Sequence, residues 1–221
     1  MVEYEKDAVV QPYVTEYIRS RLKKRDGIMA ELEKTALQRD IPIVQPETAK
    51  LLETLIMAKQ PQKILEVGCA IGYSAILMAE ACENAEITTL EFDASLAAEA
   101  KENIEQAGLS ERINVVFADA RDYISYLEED EIFDIIFLDG PKAHYIHMLD
   151  DCMRLLRKNG MLICDNVLYK GMTATDTLVI RRKITIVKRL RKFIDTITER
   201  ADMETSILPV GDGVTLTVKR F

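Results

Sequence analysis

The sequence predicts an α/β fold: a mostly parallel sheet with helices on both faces, a C-terminal antiparallel hairpin and a helical N-terminal cap. Three observations lead there. From residue 63 onward, short continuous apolar runs alternate with amphipathic segments, the pattern of strands buried on both faces between crossover helices. The first 60 residues carry helix periodicity only. The tail, METSILPVGDGVTLTVKRF, holds two alternating runs around Gly-Asp-Gly, which reads as a closing hairpin.

Taken in order, helices are expected over about 9–24, 27–39 and 47–59, with Pro42 and Pro46 breaking the chain between the last two. KILEV (63–67) is the first strand, ended by a glycine-containing loop and followed by the helical YSAILMAEAC. EITTLE (86–91) is the second, and the Ala-rich helix after it stops at Gly108. INVVFA (113–118), IFDIIFLD (132–139) and GMLICD (160–165) are three more strands, separated by helices over 120–128 and 142–157. A basic helix over 178–200 precedes the hairpin. No internal repeat or linker interrupts the chain, so residues 1–221 are read as one domain.

Composition narrows the function classes. Apolar residues make up 48% of the chain and charged residues 30%, enough for both a core and a solvated surface. No apolar stretch reaches the roughly 18 residues of a membrane span, and the acidic opening MVEYEKDAVVQPYV lacks the features of a signal peptide. Four cysteines at wide spacings inside apolar elements read as reduced core thiols of a cytoplasmic protein. The net charge of −8 argues against indiscriminate coating of nucleic acid. Two stretches run against that charge: RRKITIVKRLRK (181–192) has seven basic residues in twelve, and RSRLKKR (19–25) has five in seven. Each reads as a solvated helix face or as a landing site for an anionic partner.

Binding sites of open parallel sheets lie beyond the carboxyl ends of their strands, and the chemistry-bearing residues cluster at such ends. LEVGCAIGYSA places Glu66 at a strand end, then Gly68 and Gly72, then a helix start at Tyr73-Ser74. The spacing lacks the Gly-x-Gly-x-x-Gly of nicotinamide binding. Glu91, at the second strand end, suits the hydroxyls of a ribose, and FADAR puts Asp119 and Ala120 where an adenine edge would lie. A lone glycine loop is commonly just a tight turn; the ordered set points to a nucleoside.

The fourth strand ends at Asp139 with Lys142 three residues on, and the fifth at Asp165-Asn166. Adjacent strands lie about 4.8 Å apart, so these oxygens can converge. Two carboxylates and an amide carbonyl are hard donors suited to Mg²⁺ or another divalent cation, and no Cys or His cluster suggests zinc. Beside such a cation a lysine ammonium is disfavoured, which leaves Lys142 able to act as a general base.

LEVGCAIGYSA, TTLEFD, FLDGPKAHY, CDNVLYKG and LPVGDGVTL resemble, in order, the motifs of the cation-dependent O-methyltransferases, the family of the catechol and caffeoyl-CoA enzymes. The likeness runs from about Ile41 to the C-terminus and looks most like a bacterial branch that methylates 5-hydroxyuridine in the tRNA anticodon loop. It implies a Rossmann-like, seven-stranded class I methyltransferase sheet. It also implies S-adenosylmethionine held by Val44, Glu66, Gly68, Ala70, Tyr73, Ser74, Glu91, Asp119, Ala120 and Asp139. Asp139, Asp165 and Asn166 would bind Mg²⁺, and Lys142 would be the catalytic base. Arg181, Arg182 and Lys183, and more weakly Arg19, Arg21 and Lys23, would meet tRNA phosphates, and a homodimer is expected by analogy. No counterpart is visible to the late acidic residue of catechol enzymes. A small phenol remains an alternative substrate, and a nicotinamide oxidoreductase or a catalytically inactive nucleic-acid-binding protein are the readings from other classes.

Overall fold

A computed structural model describes residues 9–128 and 132–221; the opening residues 1–8, read above for their charge, lie outside it. Seven strands form one sheet in the order β3-β2-β1-β4-β5-β7-β6. They are β1 (Lys63–Val67), β2 (Glu86–Glu91), β3 (Ile113–Phe117), β4 (Phe133–Leu138), β5 (Leu156–Cys164), β6 (Met203–Leu208) and β7 (Val214–Lys219). The first five run parallel, and β7 pairs antiparallel with both β5 and β6. The strand order reverses between β1 and β4, the point at which an open sheet leaves a crevice.

The helices are α1 (Pro12–Arg21), α2 (Gly27–Arg39), α3 (Pro46–Lys59), α4 (Tyr73–Ala81), α5 (Ala94–Gln106), α6 (Ala120–Tyr126), α7 (Tyr145–Leu155) and α8 (Ile184–Glu199). Side chains alternate across the strands, so Ile64, Ile87 and Ile135 meet α2 to α5 on one face. Leu65, Leu90 and Ile136 meet α7 and α8 on the other. In α8 the buried residues Val187, Leu190, Phe193 and Ile197 form a single stripe, as helix periodicity demands. All four cysteines are free and buried. Among the described residues no helix is long and apolar enough to cross a membrane.

Two boundaries differ from expectation. The segment expected as helix over 142–157 opens with a 3-10 turn, Lys142–His144, and gives way to β5 at Leu156. The basic helix expected from 178 begins at Ile184; Arg181–Lys183 form a 3-10 turn before it. Neither start carries a side-chain cap that would fix an α-helical first turn.

The hairpin turn is fastened to the loop after β5. Val167 N donates to Gly213 O at 2.9 Å and Leu168 N to Asp212 O at 3.0 Å. Gly213 has φ +89°, and a Cβ there would stand 2.3 Å from Leu168 Cγ. Gly213→Ala therefore combines a left-handed backbone with overpacking and should cost about 2–4 kcal/mol. Urea unfolding followed by circular dichroism checks this, with loss of β6–β7 pairing the expected failure.

Candidate active site

The C-terminal ends of β1, β2, β4 and β5 open into a cavity of about 950 Å³. Of the residues expected to hold the nucleoside, Gly68, Ala70, Glu91, Asp119 and Ala120 line it. Asp139, Lys142, Asp165 and Asn166 line it as well, toward β5. Pro42, Ile43, Leu96, Met148 and Ile186 supply apolar wall, as a largely apolar ligand pocket requires.

Glu91 is fixed by three backbone donors. Ala70 N reaches its Oε2 at 2.8 Å, while Phe92 N and Asp93 N reach Oε1 at 2.9 Å each. One carboxylate thus ties the β1–α4 loop to the end of β2. Asp119 caps α6 by accepting from Arg121 N at 2.9 Å. Its oxygens also receive the Arg121 guanidinium, Nε at 3.1 Å and Nη2 at 2.6 Å, and this fork holds its carboxyl down at about 2. Arg121 itself lines the cavity, so Asp119 and Arg121 face it as a pair. His144, opposite, has no hydrogen-bond partner for Nδ1 among the described residues. Burial and the cations Arg121 and Arg189 push its pKa down, with His147 adding to them and Asp119 opposing.

At the other end, Lys142 Nζ donates to Asp139 Oδ1 at 2.8 Å and to Asp139 O at 3.1 Å. Asp165 is 2% exposed, and burial followed by the charge of Asp139 pushes its pKa up. Asn166 follows with φ 57°, a left-handed conformation that Asn tolerates, and its N–H donates to Asp165 Oδ1 at 2.7 Å. Two repelling carboxylates beside an amide are a donor set that fits a hard divalent cation. Among the described residues no group of three or more His, Cys, Asp or Glu side chains forms a metal cluster; the set here is two acids and an amide that line the cavity together.

Four expected residues stand behind the cavity wall. Val44 is buried in the core between Ile43 and Gln45, which do line the cavity. Tyr73 and Ser74 are buried in the first turn of α4, with Tyr73 Oη donating to Glu33 Oε1 at 2.7 Å. Glu66, fully buried within β1, accepts a hydrogen bond from Thr89 Oγ1, and its Oε1 has no partner among the described residues. Arg181 and Arg182 are exposed outside the cavity, whereas the Lys183 ammonium sits 5.5 Å from the ring centroid of Tyr169, a lining residue.

Besides Arg121, two residues at the site were not singled out from sequence. Tyr145, fully buried, shares its hydroxyl proton between Leu138 O at 2.8 Å and Asp165 O at 3.2 Å, strapping together the ends of β4 and β5. The signal was its place at the end of FLDGPKAHY. Asp212 lines the cavity beside Asn166 and Lys170 and accepts from Lys170 N. A late acid is therefore present where none was expected, inside the Gly-Asp-Gly read only as a turn.

Burial, followed by the repulsion of Asp139 and Glu91, pushes Glu66 from 4.5 up to about 7, against hydrogen bonds from Ser74 and Thr89. The unfolded chain ionises this group first, so stability falls as pH rises from about 4.5 to about 7 and then levels off. The loss amounts to about 3 kcal/mol, and Asp165 adds in the same direction. Chemical denaturation at pH 5 and pH 8 should show the fall, and Glu66→Gln should remove most of its own share. An unchanged difference in the variant would contradict the assignment.

A sequence model of the O-methyltransferase family matches residues 20–220. The catechol O-methyltransferase of Niastella koreensis is 33% identical over 163 residues, 72% of this chain and 74% of that one. The chain spans about half the length of the Danio rerio and Bos taurus catechol O-methyltransferases it also matches, 51% and 56%. An O-methyltransferase from Bacillus cereus in complex with SAH superposes with a TM-score of 0.82 at 27% identity, covering 94% of this chain and 97% of that one. TomG from Streptomyces achromogenes, an O-methyltransferase of tomaymycin synthesis in complex with SAM, gives 0.83 at 25% identity and covers 100% of both. The strand-end motifs, the cavity they build and the family match agree: this chain belongs to the O-methyltransferase family.

Proposed function

We propose that this chain transfers the methyl group of S-adenosylmethionine to one of two neighbouring substrate oxygens. Its substrate in this reading is 5-hydroxyuridine of the tRNA anticodon loop, converted to 5-methoxyuridine. The methyl-transfer half rests on the family and on Asp139, Lys142, Asp165 and Asn166 lining one cavity with Gly68, Ala70 and Glu91. S-adenosylmethionine supplies an electrophilic methyl on a sulfonium. Asp139, Asp165 and Asn166 would hold Mg²⁺, which would supply a Lewis acid for loss of the substrate hydroxyl proton.

The residues of the chain do the rest. Lys142 Nζ accepts that proton as general base. Its anchor on Asp139 keeps the amine at the metal end of the cavity, where the hydroxyl must arrive. Gly68, Ala70 and Glu91 set the cofactor's place along the strand ends. Ile43, Leu96 and Ile186 keep water from it, and holding nucleophile and methyl in line supplies several kcal/mol, on the order of known proximity effects.

One observation carries the RNA substrate: the positive end of α8 is crowded with cations. A helix N-terminus disfavours positive side chains. Yet α8 is preceded by Arg181, Arg182 and Lys183, includes Lys188 and Arg189, and has no acid in its first turn. Such crowding is costly for the fold and suited to phosphates. Ile186 of this helix lines the cavity, so a base unstacked into it would bring its flanking phosphates to these residues. The name of the Niastella koreensis relative favours a second reading, a catechol-like phenol, which offers the same pair of neighbouring oxygens. The reading also carries a cytoplasmic protein acting as a homodimer.

Labelled S-adenosylmethionine, Mg²⁺ and tRNA from a strain lacking the enzyme, followed by nucleoside mass spectrometry, separates the two substrates. Label in 5-methoxyuridine, abolished by EDTA, is expected; efficient phenol methylation with unlabelled tRNA would establish the other. Lys142→Ala should lower kcat about 10²–10⁴-fold with cofactor affinity unchanged by calorimetry. Charge reversal at Arg181, Arg182 and Lys183 should abolish tRNA methylation and spare phenol turnover; normal tRNA kinetics in that variant would sink the RNA contact.

A further inference from the structure

A second concavity, about 170 Å³, lies among α1, the loop after it, α2 and the start of α3. Five cations line it, Arg19, Lys23, Lys24, Arg25 and Lys50, and one carboxylate, Glu33. Glu47 and Glu53 stand behind three of these cations, so the local excess rests on Lys23 and Lys24, on a chain of net charge −8.

The cations are arranged by acids set behind them. Arg19 gives Nε and Nη2 to Glu47 at 2.8 and 3.0 Å, and Glu47 has a side chain only 7% exposed. Glu53, 14% exposed, takes Arg25 Nη1 and Lys50 Nζ. Each arginine is held along one edge by a carboxylate, Arg19 by Glu47 and Arg25 by Glu53, and both side chains line the cleft. Lys23 and Lys24 are exposed and have no carboxylate partner among the described residues. Side chains fixed in this way lose little freedom when an anion arrives, and Arg and Lys together are the usual donors to a phosphate group.

One hydrogen bond links the cleft to the wall of the active-site cavity. Arg19 Nη2 donates to Gln45 Oε1 at 2.9 Å, and Gln45 lines that cavity. The cationic start of α8 lies against another part of the same cavity, through Ile186 and Tyr169. A strand whose base occupies the cavity therefore has two basic surfaces that each touch a lining residue, the start of α8 through Lys183 on Tyr169 and the cleft through Arg19 on Gln45.

We infer that this cleft seats a backbone phosphate of the RNA whose base enters the cavity, a second anchor beyond the one at α8. The inference rests on the RNA reading above. Its size admits a phosphate with its waters and excludes a nucleoside, so the contact is blind to sequence and sets position only.

The test uses the full chain, a fluorescein-labelled anticodon stem-loop RNA and anisotropy across a salt series. The variant is Lys23→Glu with Lys24→Glu, both exposed, and Lys23→Arg with Lys24→Arg is the charge-conserving control. Affinity should fall about tenfold or more and the slope of log K against log salt should shrink by about 1, as for the loss of one phosphate contact, with the arginine control near wild type. An unchanged slope and affinity in the glutamate variant would overturn the phosphate seat. Methylation of the same RNA separates the two levels: wild-type methylation with an unaltered variant removes the cleft and leaves the substrate standing. Failure of wild type to bind or methylate RNA removes both. Inorganic phosphate titrated against the wild type, read by ³¹P line width, covers the remaining source; saturation of the cleft by free phosphate with no effect on RNA binding would also overturn the seat.

Discussion

Where the sheet reverses its strand order, the ends of β1 and β4 meet through backbone alone. A Cβ on Gly68 would stand 2.8 Å from the carbonyl carbon of Asp139 and 2.9 Å from Gly140 N, closer than any side chain permits. Gly68 also has φ +98°, so the residue is required twice over, by contact and by conformation. This abutment lets Asp139 N pair with Val67 O at 2.9 Å and turns its side chain into the crevice. Tyr145 fixes the next strand end relative to it. The place of Lys142, three residues on, follows from the place of Asp139.

The second determinant is electrostatic. A parallel sheet delivers its strand ends to one edge, and here that edge carries Glu66, Glu91, Asp139 and Asp165. Each is handled differently. Glu91 is satisfied by three peptide N–H groups, and Asp139 by Lys142. Glu66 and Asp165 lie buried with too few donors, and both are pushed toward the protonated form. A buried carboxylate lacking a counter-charge costs stability until a cation supplies one, so the fold gives up stability at the same edge where binding would return it.

Much of this edge was legible in the sequence, because an apolar strand that stops on an acid announces both its burial and its end. Asp139, Asp165-Asn166 and Glu91 were readable for that reason, and so was the hairpin, from Gly-Asp-Gly between alternating runs. Glu66 was readable as an acid near a strand end, but alternation along β1 turns its side chain into the sheet, and no pattern in LEVG says which face is open. Val44 is a similar case: it is buried in a loop whose neighbours Ile43 and Gln45 line the cavity, and sequence does not say which of the three do so. Asp212 and the Asp165 contact of Tyr145 were hard to read because each acts on a partner distant in sequence, whereas the Arg121 fork is local to FADAR and depends on a rotamer that sequence does not set. The family match supplies methyl transfer, and the charge at α8 and in the cap cleft bears on the choice of substrate.

The four native thiols have a practical corollary. Burial pushes Cys69, Cys152 and Cys164 away from their reactive thiolate forms, and Cys82 is equally enclosed, its sulfur 3.5 Å from Pro61 O. The folded chain therefore offers maleimide and methanethiosulfonate reagents no ready target. Replacements such as Lys24→Cys and Lys188→Cys would be modified selectively without first stripping the native cysteines. Paired spin or dye labels at such sites would report the span between the loop after α1 and α8 in solution.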